Sequence, residues 1–131
     1  MLKTNKVLFF DGIEFENIIL HYIDLGKFNL AKKALSIGMD QHPKNIELML
    51  LKTEILLFEG AYKDAEELLV EIEILSPENE EIYVQRASIL SKKKKHSLAI
   101  DLLYKALTVT ENPSEINNLI GNEYLFIGNL N

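Results

Sequence analysis

The chain has 131 residues, 47% apolar and 26% charged, with a net charge of −6 at neutral pH and no cysteine. That mixture is typical of a folded globular protein and excludes disorder, and the length suits one domain or a short repeat array with a continuous core. The missing cysteines exclude disulfides, zinc–thiolate sites and a thiol nucleophile; they fit a reducing compartment, so the expected location is cytoplasmic. The acidic balance argues against general nucleic-acid binding. No stretch approaches the roughly 18 apolar residues that span a bilayer. Val7-Leu8-Phe9-Phe10 is too short for the core of a secretion signal, which needs about 7–15 residues.

In chain order, residues 1–11 read as an extended lead-in whose Phe9 and Phe10 cover the first helix. Asp11-Gly12-Ile13-Glu14 has the form of a capping box, with the aspartate on free amides and the glutamate reaching back. Phe15, Ile18, Ile19, Tyr22 and Leu25 then recur at helical spacing, and Gly26 ends that helix. A second helix is predicted from about Phe28 to Asp40, halted by His42-Pro43 because the residue before proline is pushed out of the helical region. Asn45 caps a third, which is apolar on more than one face from Ile46 to Phe58 and so must meet more than one partner. After Gly60 come a fourth helix, from Tyr62 to Leu75, and a fifth, capped by Asn79 and ending in Lys92-Lys93-Lys94-Lys95. The sixth carries Leu98, Ala99, Leu102, Leu103 and Ala106. Ser114 starts the seventh, and the chain stops at Gly128-Asn129-Leu130-Asn131 in what reads as another elbow. Alternation of period two is absent, so no strand is predicted.

The elbows at Gly26 and Gly60 are 34 residues apart, and further periods fall on Lys94 and Gly128. Ala31, Ala65 and Ala99 repeat in phase on second helices; Thr53, Ala87 and Gly121 repeat on first helices. Small residues permit close helix approach, and enlarging one would overpack the contact at about 1–3 kcal/mol. Tyr22, Leu56, Leu90 and Tyr124 lie beside them, with Leu35, Leu69 and Leu103 opposite. Phe28 and Tyr62 follow the elbow glycines, and Pro43 and Pro77 separate the units.

In these features the chain resembles the tetratricopeptide repeat (TPR) family of 34-residue helix–turn–helix arrays. Units fall at about 12–45, 46–79 and 80–113, with a half unit at 114–131. Departures are Ile19 for a small residue, Gly38 and Ile72 where Ala106 keeps the alanine, Lys94 for the elbow glycine and His96 for the aromatic. The resemblance implies an all-α fold: an α-solenoid of about seven antiparallel helices wound into a right-handed superhelix. It also implies a non-enzymatic scaffold that binds a protein or peptide segment on its concave face. There it places Glu16, Leu20, Ile23, Glu47, Leu50, Glu54, Leu57, Phe58, Glu81, Val84, Ser88 and Lys92. Leu50 with Leu57, and Glu47 with Glu54, each lie seven apart on one side of the third helix. Such a groove would favour a peptide with apolar anchors and some positive charge, while the same leucines could equally pack on neighbouring helices. The basic clamp by which some family members hold chaperone tails is replaced by Glu16, Leu20, Leu51, Glu81 and Gln85.

No cofactor or metal site is expected. His21, His42 and His96 lack helical partners and read as surface or packing residues. The glutamate clusters read as a solvated face. No glycine-rich phosphate loop or catalytic triad is present. Lys92, Lys93, Lys94 and Lys95 read as a solvated elbow that offsets the negative end of the fifth helix, with an anionic partner as the alternative reading. The seventh helix lacks a following partner, which would leave Leu119, Ile120 and Leu125 uncovered. The chain is therefore expected to be the N-terminal piece of a longer array, or to associate with itself through its C-terminal helix.

Overall fold

The capping box forms at the start of the first helix, α1 (Gly12–Asp24). Asp11 accepts from the Glu14 amide at 2.8 Å, and the Asp11 amide donates to the Glu14 carboxylate at 3.0 Å. The structure is a computed structural model that describes residues 10–129. Six helices follow: α2 (Phe28–Gln41), α3 (Ile46–Phe58), α4 (Tyr62–Leu75), α5 (Glu80–Lys92), α6 (His96–Leu107) and α7 (Pro113–Asn129). No strand occurs among the described residues. Asn45 caps α3 through the Leu48 amide at 3.0 Å, and Asn79 caps α5 through the Glu81 amide at 3.0 Å. The seventh helix begins at Pro113, one residue before the expected Ser114. Proline suits a first helical position because its missing N–H would have had no partner there.

All three elbows use one hydrogen-bond pattern. The amides of Lys27, Ala61 and Lys95 donate to the carbonyls of Tyr22, Leu56 and Leu90, each at 2.8 Å. Those of Gly26, Gly60 and Lys94 donate to Ile23, Leu57 and Ser91 at 2.9–3.1 Å. This pair of bonds is the Schellman closure, which needs a left-handed residue just past the helix end. Gly26 has φ +73° and Gly60 has φ +79°; Lys94 takes the same conformation at φ +63° despite its side chain. The 34-residue phase therefore survives the loss of its glycine. A Cβ in this conformation costs about 1–2 kcal/mol. Lys94→Gly should accordingly raise stability by about 1 kcal/mol and Gly60→Ala should lower it by about 1–2 kcal/mol, read as opposite shifts of the urea midpoint.

The fourth elbow does not form. Helix α7 continues through Gly128 to Asn129, and Gly128 is not among the positive-φ residues. Glycine permits the left-handed turn without imposing it. Phe9, Leu130 and Asn131 lie outside the described residues, as does the lead-in before Phe10.

Contacts divide the chain within α3 into two bodies, Met1–Ile55 and Leu56–Asn131. In the first, α1 packs on α2; in the second, α4 packs on α5, α5 on α6 and α6 on α7. Contact between consecutive helices is the connectivity of the all-α helical-repeat fold that the sequence implies.

The N-terminal body buries Phe15, Ile19, Ala31, Leu35, Leu48, Leu51 and Ile55 in one cluster. Gly38 belongs to this packing: a Cβ there would lie 3.0–3.2 Å from Phe15, so the bulky aromatic explains the glycine in an alanine phase. Phe10 meets Phe15 edge-on, with centroids 5.5 Å apart. The backbone of Phe10 is tied to the end of α2 by Gln41, at 3.2 Å, and by the His42 ring, at 2.6 Å. Inside α3, buried Thr53 donates its hydroxyl to the Met49 carbonyl at 3.0 Å, so the one polar side chain in that phase is satisfied within its own helix.

In the C-terminal body, Ala87, Ala99, Leu103, Ala106, Ile116 and Ile120 form the α5–α7 core, with Leu119 packed against it. Ile120 and Leu119 are thus covered by α5 and α6, contrary to the expectation that they lack partners, while Leu125 stays 66% exposed. One face of α7 is needed to close the core over α6; only the opposite face is left open. Between α4 and α5, Arg86 reaches Glu66 at 3.0 Å and Glu73 at 3.2 Å. Those two glutamates hold a neighbouring helix as well as facing water.

Candidate functional site

The expected groove residues lie on the first helices of the units. On α1, Glu16 and Ile23 are half-buried, Ile23 against the N-terminal core, and Leu20 is exposed. On α3, Glu47 and Glu54 are exposed, Leu50 and Leu57 are half-buried, and Phe58 is 72% exposed. On α5, Glu81, Val84 and Ser88 are half-buried and Lys92 is exposed. Leu51 and Gln85, two of the places compared with the chaperone-tail clamp, are buried and present nothing to solvent.

Partial desolvation pushes the Glu54 carboxyl above the usual glutamate range, although the residue keeps solvent contact. Its charged form is disfavoured in the folded chain, so stability contributed by Glu54 falls as the pH rises through its folded pKa. The α3 segment of the N-terminal body thus carries half-buried Leu50 and the carboxylates of Glu47 and Glu54, and the segment in the C-terminal body carries half-buried Leu57 and the exposed Phe58 ring.

A second concavity of about 610 Å3 lies among α5, α6 and α7. Val84, Ser88 and Lys92, three of the expected groove residues, line it, with Ser91, Lys94, Leu103, Leu119 and Phe126. At its base His96 Nδ1 donates to Glu123 Oε1 at 2.9 Å, and the Ser91 hydroxyl donates to Glu123 Oε2 at 3.0 Å. Both members of the pair are more than nine-tenths buried. Phe126 stacks on the imidazole, with centroids 5.4 Å apart. The arrangement does not activate Ser91. Its proton is directed to the carboxylate, and the imidazole nitrogen 3.5 Å away is already a donor. A nucleophilic serine needs a base that accepts its proton.

Reading the sequence alone missed Ser91, Glu123 and Phe126. The repeat held a signal for Glu123. It is in phase with Ile55 and Ile89, both buried, and His96 is in phase with Phe28 and Tyr62. The pairs Phe28/Ile55 and Tyr62/Ile89, each 27 residues apart, become imidazole and carboxylate together at His96/Glu123, while the same phase in the first unit holds exposed His21. Neither change is interpretable alone; together they describe a polar pair in an apolar interface.

The remaining exposed face of α7 carries Gly121, Tyr124 and Leu125. The Tyr124 phenol is pushed up, chiefly by its hydrogen bond with Tyr104 of α6. The lysines of the elbow, Lys92 to Lys95, are all exposed, and Lys92 and Lys94 turn to the rim of the concavity. Among the described residues no group of three or more histidine or acidic side chains is placed to hold a metal, and no helix is long and apolar enough to cross a membrane.

Paired helices, repeated Schellman elbows and in-phase small residues define a TPR-like helical-repeat protein. Among solved structures the chain is similar to MamA of AMB-1, with a TM-score of 0.59 and 19% identity over 91% of this chain and 65% of that one. The chain thus spans slightly less than two thirds of the MamA chain, and at this identity the likeness carries the fold alone. No family model and no curated protein matches the sequence.

Proposed function

We propose that the chain is a protein-interaction scaffold that binds a peptide or protein segment on the faces of its first helices, which the repeat resemblance turns to the concave side of an array. The observation that carries this reading is the α3 face, where Phe58 is 72% exposed on the helix that also presents Glu47 and Glu54. A ring left in water on a folded surface is a ready anchor, and the carboxylates favour a segment that pairs apolar side chains with lysine or arginine. The helical-repeat fold offers extended surfaces, and the Ser91 hydroxyl donates to the Glu123 carboxylate, which supports a binding role over nucleophilic chemistry at that serine.

A photo-crosslinking residue at position 50 or 58 tests this. Adducts with a partner are expected from both positions and not from Ser36, which lies on the exposed side of α2. Equal adduct yield from all three positions would contradict a binding face on α3.

A second reading, an assembly element, is favoured by one observation. Ala87 and Leu90 of α5 are covered by α6, whereas Gly121 and Tyr124, their counterparts on α7, face solvent beside the exposed Leu125. That surface is suited to contact with another chain.

A further inference from the structure

We propose that the concavity among α5, α6 and α7 receives helix α4 of a second copy of this chain, with Ile74 as its apolar anchor and Glu67 and Glu71 opposite Lys92 and Lys94. This contact uses neither the α3 face nor the exposed Leu125 face of α7. The concavity, of about 610 Å3, has an apolar floor that includes Val84, Ala87, Leu103 and Leu119, and a rim carrying Lys92 and Lys94. That volume is in the range of pockets that hold a ligand group. Its one carboxylate, Glu123, already accepts from both Ser91 and His96. The charge left for an occupant to meet is positive, so the complementary occupant is an apolar side chain flanked by acids.

Helix α4 displays that combination. Val70 is 48% and Ile74 is 75% exposed, one turn apart, and exposed Glu67 and Glu71 precede them at helical spacing. Residues three and four apart share a helix face, so these four form one stripe. Ile74 is the most exposed large apolar side chain among the described residues. Within its own molecule α4 is held to α5 through Glu66, Glu73 and Arg86, on a different side of the helix, and no α4 residue lines the concavity. The stripe therefore stays available to another copy.

The two surfaces are different patches of one chain, so the contact is head-to-tail. Such a contact builds a closed ring where the rotation closes and an open chain where it does not. Its exposed lysine–glutamate pairs are screened by salt.

Sedimentation velocity on the full chain, over a wide concentration series at low and high salt, tests the proposal. The sedimentation coefficient is expected to climb with concentration, and to climb less at high salt. Ile74→Asp, at a position exposed in the monomer, should weaken association by at least about tenfold. Lys92→Glu/Lys94→Asp and Glu67→Lys/Glu71→Lys should each remain monomeric alone and assemble when mixed, because each then presents the charge that the other lacks. A wild-type chain that is monomeric throughout overturns the proposal. So does association that Ile74→Asp leaves unchanged, or that Leu125→Glu abolishes while Ile74→Asp does not. Loss of assembly would leave crosslinking from positions 50 and 58 intact, so this failure and that of the scaffold reading are distinguishable.

Discussion

Replacing His96 with alanine is expected to destabilise the C-terminal body by about 3–5 kcal/mol, because Glu123 then remains buried without its main partner. Glu123 is 8% exposed, and Ser91 alone satisfies one of its two oxygens. Glu123→Ala leaves the imidazole Nδ1 donor without its acceptor, at about 1–3 kcal/mol. The double change His96→Phe/Glu123→Ile should behave differently. It restores the residue types of the earlier units, Phe28 with Ile55, and removes both desolvated polar groups at once. Exchanging a whole buried polar pair for well-packed apolar residues is often neutral or stabilising. The double variant is therefore predicted to match or exceed the wild type in urea unfolding followed by circular dichroism. A double variant weaker than either single one would show that this interface is not equivalent to its predecessors.

The second large effect separates core phase from binding face. Leu69 is fully buried on α4, in phase with Leu35 and Leu103, which are also buried. Leu69→Ala should cost about 2–5 kcal/mol, from lost transfer energy and the cavity left behind. Phe58→Ala deletes a larger side chain but should stay within about 0.5 kcal/mol, since little of its ring is removed from water by folding. Urea midpoints of the two variants give the comparison. A costly Phe58→Ala would assign that ring to the core and remove it from the binding face.

The phase of the helices was legible because several weak preferences coincide every 34 residues. A glycine elbow, an alanine in close contact and a large residue beside it each have a local steric cause. Lys94 shows why the pattern outlasts its key residue. The Schellman bonds from Lys94 and Lys95 and the docking of α6 on α5 hold a left-handed lysine whose own preference is otherwise. Gly128 shows the converse, a glycine in phase whose helix simply continues.

What could not be read was pairing across elements. Glu123 in isolation is an ordinary helical glutamate; only its placement opposite His96 and Ser91 makes it a buried partner. Likewise, whether the apolar residues of α7 were covered depended on how α7 lies over α6, which periodicity within α7 does not specify. On α3, the helical spacing of Glu47, Leu50, Glu54 and Leu57 put them on a common side, whereas the partial burial that raises the Glu54 carboxyl could not be read from spacing.

The most direct measurement of the scaffold claim is the affinity of the partner segment recovered by crosslinking, compared between the wild type and Glu47→Lys/Glu54→Lys. Both positions are exposed, so the variant is expected to keep its fold. A loss of at least about tenfold, equivalent to about 1.4 kcal/mol, is expected. An unchanged dissociation constant would contradict the scaffold claim.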